Sequence, residues 1–288
     1  MQSAVFLILC LPAILCRTLQ RHVYVYNGYG SDELHVSRMV DHLRARLHSS
    51  YVVDTIGADD VKAGAWANDA ALFMMPGGFD LGYNHSLGDE GATEIRKYVN
   101  DGGSYLGQGA GSYFACDRIE FDINGLDQVV GDRPLKFYPG VCTGPVYSPY
   151  SYHDYSSARA APINFRFIPS TPGVDVHVES INMRAYYNGG NTFDIPMADE
   201  NTRCVTLGSF SEKNDDPAIV KCNTYQGLAV LTSVHLEFGA SHLNSNDEYL
   251  GNVQQELREH ESSRLRVFDF LLRNLGLTTR PDAMVSNV

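Results

Sequence analysis

Ser104-Tyr105-Leu106-Gly107-Gln108-Gly109-Ala110-Gly111-Ser112 runs a short apolar strand, without a spacer, into a cluster of small residues, and a helix-like Tyr113–Arg118 follows. Glycines two residues to either side of one central position, here Gly107 and Gly111 about Gly109, mark a sharp strand-to-helix elbow. Such an elbow holds its central side chain in strained backbone geometry, exposed at the carboxyl edge of a sheet. The helix start and its free N–H groups favour negative charge there. The central residue in this chain is glycine, so the turn can form but presents no side chain.

Working outward, the rest of the chain has the same grammar. His22–Tyr26 alternates as a strand and breaks at Asn27-Gly28-Tyr29-Gly30, and Asp32–Leu47 then places Leu34, Val36, Met39, Val40, Leu43 and Leu47 at helical spacing. Tyr51–Thr55 and the wholly apolar Ala70–Met75 are further strands, the second ending in Pro76-Gly77-Gly78. Glu90–Asn100 is a helix closed by Asp101-Gly102-Gly103. Apolar strands alternating with amphipathic helices predict a mostly parallel sheet covered by helices on both faces. Beyond it, Asp132–Pro172 is rich in Pro, Tyr and Ser and reads as irregular covering structure. Val174–Tyr187 and Arg203–Leu231 supply more strands, and Gln254–Leu275 is a long closing helix.

Met1–Cys16 contains an apolar run from Ala4 to Leu15 with no charge before Arg17, which reads as a signal peptide, residues 1–16. A run of about 12 residues is too short to span a bilayer, which needs about 20. Residues 17–288 then form a single α/β domain, and the protein is expected to be secreted or to lie in the lumen of the secretory pathway. The formal net charge of -12 argues against nucleic acid and anionic membranes as partners, since both need clustered Lys and Arg. Of six cysteines, Cys116, Cys142, Cys204 and Cys222 lie beyond the leader. Cys204 and Cys222 fall in strand-like stretches joined by a polar turn and can face each other across a hairpin. Cys116 with Cys142 follows by elimination only, and four free thiols are the alternative. Asn84-His85-Ser86 is a glycosylation sequon. No HExxH, CxxC pair or phosphate-binding GxxxxGK[ST] occurs, so no metal and no cofactor is expected.

Seven motifs in order carry a resemblance: Val25-Tyr26-Asn27-Gly28-x-Gly30; Met75-Pro76-Gly77-Gly78-Phe79-Asp80; Gly107-x-Gly109-Ala110-Gly111-x-Tyr113; Arg118-Ile119-Glu120-Phe121; Phe137-Tyr138-Pro139-Gly140 with Gly144-Pro145; Tyr186-Tyr187-Asn188-Gly189-Gly190; and Ser233-x-His235-x-Glu237. Together they resemble the N-terminal domain of eukaryotic biotin–protein ligases over about Val23 to Phe238. That domain looks like a class I glutamine amidotransferase, so the resemblance implies a flavodoxin-like, class I amidotransferase-type α/β fold. The ligase's own catalytic domain and its biotin-binding motif are absent, so biotinylation is not implied.

In the superfamily the elbow carries a cysteine nucleophile, and a His and Glu two residues apart complete a triad. His235 and Glu237 match those positions, and Gly109 stands where the cysteine would. The resemblance places an oxyanion hole at the N–H groups of Gly78 and Ala110, while the loop at Asn27 and Gly28 offers a further ligand-facing turn. An imidazole lowers the effective pKa of a thiol and moves its proton, and a carboxylate orients the ring. Strand alternation would put His235 and Glu237 on one face. Without the cysteine we expect a non-catalytic domain that binds a small molecule or a protein in the former active-site cleft. The alternative is a hydrolase or amidase in which His235 and Glu237 activate water or a displaced nucleophile. Ser112 is expected to point away, and Cys116 to be core or disulfide. Tyr26, Tyr29, Tyr83, Tyr113, Tyr147, Tyr187 and the tyrosines of 150–155 are candidates for an aromatic rim, with ordinary core packing as the alternative.

Overall fold

The structure, a computed structural model, describes residues 22–152, 154–168, 179–194 and 202–281. The expected leader, residues 1–16, with Cys10 and Cys16, lies outside the described residues. The first half alternates strand and helix: β1 (His22–Tyr26), α1 (Glu33–Arg46), β2 (Val52–Ile56), α2 (Ala58–Ala63), β3 (Ala70–Met75), α3 (Asp80–Asn100), β4 (Ser104–Gln108) and the one-turn α4 (Ala110–Phe114). The second half is strand-rich: β5 (Cys116–Phe121), β6 (Val129–Asp132), β7 (Tyr138–Gly144), β8 (Arg159–Phe167), β9 (Glu179–Tyr187), β10 (Thr192–Phe193), β11 (Thr202–Phe210), β12 (Asp216–Thr224) and β13 (Gly227–Thr232). It closes with α5 (Leu250–Arg258) and α6 (Glu261–Asn274).

One large sheet has the order β2-β1-β3-β4-β13-β12-β11-β8-β9, and β10-β7-β5-β6 form a smaller one. From β2 to β13 neighbours run parallel; from β13 to β9 they run antiparallel. The core explains why β3 is apolar throughout. Leu72 and Met74 pack on one face with Met39 and Leu43 of α1 and Phe268 and Leu271 of α6. Phe73 and Met75 pack on the other with Trp66, Ile95 and Phe114. A strand covered on both faces cannot alternate with polar residues. Truncating a residue such as Leu72 to Ala costs about 2–5 kcal/mol.

Helix α1 starts where Asp32 accepts hydrogen bonds from the N–H groups of Leu34 and His35, satisfying two donors that have no partner within the helix. It ends with Arg44 and Arg46 in its last turn, favourable for the helix dipole. Past α6 the chain returns to that end. Arg280 N–H donates to Arg46 O at 2.8 Å, His48 N–H donates to Thr278 O at 3.0 Å, and Leu47 and Thr279 form an isolated bridge.

Four elements differ from the sequence reading. The helix at the elbow stops at Phe114 because Cys116 already begins β5 and is tied by a disulfide to Cys142 of β7. Helix α3 starts at Asp80, and Gly88 at φ 56° interrupts it. The stretch read as irregular contains β7 and β8; Ala161, Ile163 and Phe165 point into the core at period two. Pro162 is tolerated because it lies beyond Ile163, Asn164 and Phe165, the residues of β8 that pair with β11. The closing helix is two helices because its halves cover different surfaces. Leu250, Val253 and Leu257 of α5 pack on Tyr186 and Phe238, whereas α6 packs on the main core.

Candidate active site

The elbow exists as read. Gly109 has φ 51° and ψ -112°, a conformation costing other residues about 1–3 kcal/mol. A Cβ on Gly111 would lie 2.2 Å from Met75 O, so α4 can lie this close to β3 only with glycine there.

His235 and Glu237 do not lie on a strand. Strand β13 ends at Thr232, and the pair sits in the following bend, fixed where His235 N–H donates to Tyr186 O at 2.7 Å. The two side chains nevertheless converge: His235 Nδ1 is 3.1 Å from Glu237 Oε1. A third residue, absent from the sequence reading, joins them. His35, in the first turn of α1, places its Nδ1 3.0 Å from the same Oε1, with its ring 4.4 Å from that of His235. Its only sequence signal was adjacency to the loop after β1. Two glycines make room for the imidazoles. A Cβ on Gly77 would lie 2.6 Å from His35 Nδ1 and 2.9 Å from His235 Cε1, and one on Gly109 would lie 2.8 Å from His235 Cε1 and 3.0 Å from its Nε2.

Burial depresses the pKa of His235, only partly offset by Glu237, and the ring is neutral. Burial also works against ionisation of Glu237, but His235 and then His35 hold its carboxyl well below the usual carboxylate range. The ionised carboxylate therefore accepts Nδ1–H from both rings, which leaves His235 Nε2 unprotonated beside Gly109. Glu237 is wholly buried, and its second oxygen, Oε2, has no hydrogen-bond partner.

Among the described residues the N–H groups of Gly78 and Ala110 have no hydrogen-bond acceptor. Ser31 and Gly78 form a bridge whose hydrogen bonds run from Phe79 N–H to Gly30 O and from Asp32 N–H to Gly77 O, so Gly78 N–H takes no part. Ala110 is the first residue of α4, where an N–H has no acceptor within the helix. Both residues line the cleft, whereas Asn27 and Gly28 do not. Those two only shape the turn, in which the Ser31 hydroxyl donates to Gly28 O at 2.7 Å. Ser112 donates to Asn191 Oδ1, and no hydroxyl or thiol among the described residues hydrogen-bonds the His235 ring. Both disulfides are formed, Cys116–Cys142 and Cys204–Cys222, the latter between directly opposed residues of β11 and β12. Asn84 lies exposed on α3; the Ser86 hydroxyl of its sequon hydrogen-bonds Tyr26 and Tyr29 O.

A cavity of about 610 Å³ opens in front of Gly109, Ala110, Gly78, His35 and His235. Tyr113, Tyr150, Tyr152, Tyr155 and Tyr186 line it, but Tyr26, Tyr83, Tyr147 and Tyr187 are core residues and Tyr29 stands on the surface outside it. Tyr113, Phe121, Tyr150 and Tyr152 form a chain of edge-to-face rings with successive centroids 5.6, 5.3 and 4.6 Å apart. Asp32, Asp80, Asp154 and Asp247 line the cavity and no described Lys or Arg does, although buried Arg133 pairs with Asp80 from behind. His35, His235 and Glu237 are also a set whose donor atoms lie within 4.8 Å of one another. The grouping is hidden in the chain because His35 and Glu237 are 202 residues apart.

A profile of the family described as biotin-protein ligase, N terminal, matches residues 21–288. The chain belongs to the biotin–protein ligase N-terminal family. A biotin–protein ligase of Schizosaccharomyces pombe is 30% identical over 262 residues, 91% of this chain but only 39% of the length of that ligase. An uncharacterised protein of Chlamydia muridarum is 29% identical over 212 residues, 73% of this chain and 77% of its own. In three dimensions this family member is similar to a glutamine amidotransferase of Thermotoga maritima, with TM-score 0.52 and 13% identity over 89% of this chain and 98% of that one. It is also similar to the PurLQS structure from the same organism, with TM-score 0.50 and 15% identity over 89% and 100%. The fold is therefore the flavodoxin-like, class I amidotransferase type.

Proposed function

We propose that this protein binds a small molecule in the cleft of an amidotransferase-type scaffold and carries out no acyl transfer through a covalent intermediate. The observation that carries this reading is the elbow. Gly109 offers no nucleophile, and the His235 ring stands within 3.0 Å of where a Cβ would be, so the space a thiol needs is filled. The cleft keeps two free N–H groups at its inner end and an aromatic, carboxylate-bearing mouth without Lys or Arg among the described residues. Such a mouth suits organic ammonium groups, which are attracted by ring faces and carboxylates together. We also propose that the protein works outside the cell, which its two disulfides and apolar leader support.

A thermal-shift screen tests the reading. Small ammonium compounds are expected to stabilise the protein, isosteric carboxylates to do so less, and Tyr152→Ala to abolish the difference, with no release of ammonia from glutamine. The hydrolase reading rests on the intact His235–Glu237 contact. Turnover of an amide or ester, lost in a folded His235→Ala variant, would establish it in place of ours.

A further inference from the structure

We propose that His35, His235 and Glu237 form a binding site for a divalent transition-metal ion, best suited to zinc, directly behind the glycine elbow. Two nitrogens and a carboxylate oxygen are a donor set that zinc takes in proteins. Imidazole donors also select zinc, copper and nickel over magnesium and calcium. Donors about 2.0–2.1 Å from one ion, at angles between octahedral and tetrahedral, stand about 2.8–3.4 Å apart. The His35 Nδ1 and His235 Nδ1 atoms lie 3.0 and 3.1 Å from Glu237 Oε1. Both nitrogens stand at ligand spacing from the carboxylate oxygen, brought there from α1 and from the bend after β13, and all three donors lie within 4.8 Å of one another, so the two imidazoles close on the ion as it binds.

The second observation is independent of that spacing. Glu237 is wholly buried, and its Oε2 has no partner among the described residues. An unpartnered buried carboxylate oxygen is costly, and a cation taken up by both carboxylate oxygens would satisfy it. Gly77 and Gly109 keep the neighbourhood of the two rings free of side-chain atoms, since a Cβ on Gly77 would stand 2.6 Å from His35 Nδ1. In the bound state each imidazole gives its Nδ1 lone pair to the metal and carries its proton on Nε2. The negative lining of the cleft, with Asp32 one turn from His35, favours entry of a cation.

The test uses the full chain with its disulfides intact, stripped by a chelator and titrated with zinc chloride against a chromophoric competitor. One equivalent of zinc is expected to bind, with a rise in melting temperature, and magnesium not to compete. Loss of an outer-shell partner costs about 10–100-fold in metal affinity, and His35→Gln and His235→Gln should each weaken zinc by more than that. His48→Gln, on an exposed turn, should leave affinity unchanged. Cobalt substitution should give visible absorption that His35→Gln removes. Because His35 is partly exposed on a helix held by other contacts, that variant is expected to fold even if Glu237 variants do not. Folded wild-type protein that binds no stoichiometric zinc overturns the proposal. So does zinc affinity undiminished in both His35→Gln and His235→Gln.

Discussion

Gly109→Cys restores on paper the nucleophile that the superfamily uses, and we expect it to fail. The new Cβ would lie 2.8 Å from His235 Cε1 and 3.0 Å from Nε2, with a sulfur still to be placed beyond it. The His235 ring cannot simply retreat, because His35 stands 4.4 Å behind it and Glu237 holds its Nδ1. Strain at φ 51° together with overpacking costs about 1–3 kcal/mol each. For a domain of this size that lowers the melting temperature by about 4–24 °C. The assay is a thermal melt alongside mass spectrometry after exposure to a glutamine-derived electrophile. We expect a destabilised protein whose introduced thiol forms an adduct no faster than an ordinary surface thiol, and a Gly77→Ala change should not help. Wild-type stability together with rapid, stoichiometric modification would refute the packing argument, since it would mean that the imidazole gives way freely.

Three further outcomes follow from the same structure. Glu237→Gln leaves two ring donors facing an amide in a dry site, and is expected to cost about 2–4 kcal/mol in denaturant melts. Burial, reinforced by Arg264, lowers the pKa of His42 to about 3. The unfolded chain therefore takes up a proton below about pH 6.5 that the folded chain refuses, so the associated stability is complete above that pH and is lost on acidification. Measured from pH 7 to 4.5, stability should fall, and His42→Gln, which keeps an acceptor for Arg264, should make the fall shallower by about 2–3 kcal/mol. Replacing Cys116 and Cys142 together by Ala should cost about 2–4 kcal/mol and lower the melting temperature without changing the far-ultraviolet circular dichroism.

What could be read in the sequence and what could not divide along physical lines. Ala70–Met75 matches β3 residue for residue because a strand buried on both faces leaves an unbroken apolar run. The elbow was legible because close backbone approaches at Gly107 and Gly111 and a positive φ at Gly109 demand glycine at fixed spacing, and Cys204 and Cys222 because a hairpin opposes residues symmetrically. Helix and strand compete locally where the signal is short: Tyr113–Arg118 carries apolar residues that fit either period, and the chain divides them, Phe114 ending α4 and Cys116 opening β5 with its disulfide to Cys142. The split of the closing helix depends on which surfaces lie beneath it, information the helix itself does not contain. His35 was invisible for the same reason. Its partner oxygen is 202 residues away, and nothing near His35 distinguishes it from the other polar residues on the same face of α1.

The hydrogen bonds that stitch Thr278–Arg280 to the end of α1 also fix the position of Arg280. Helix α1 runs from Asp32 and His35 at the cleft to Arg46, 14 helical residues on, a distance of about 20 Å at 1.5 Å per residue. A reporter or a surface tether joined after Arg280 thus starts at the end of α1 remote from the cavity. Immobilised by that end, the protein would present its cleft outward, unobstructed, to whatever is flowed across it.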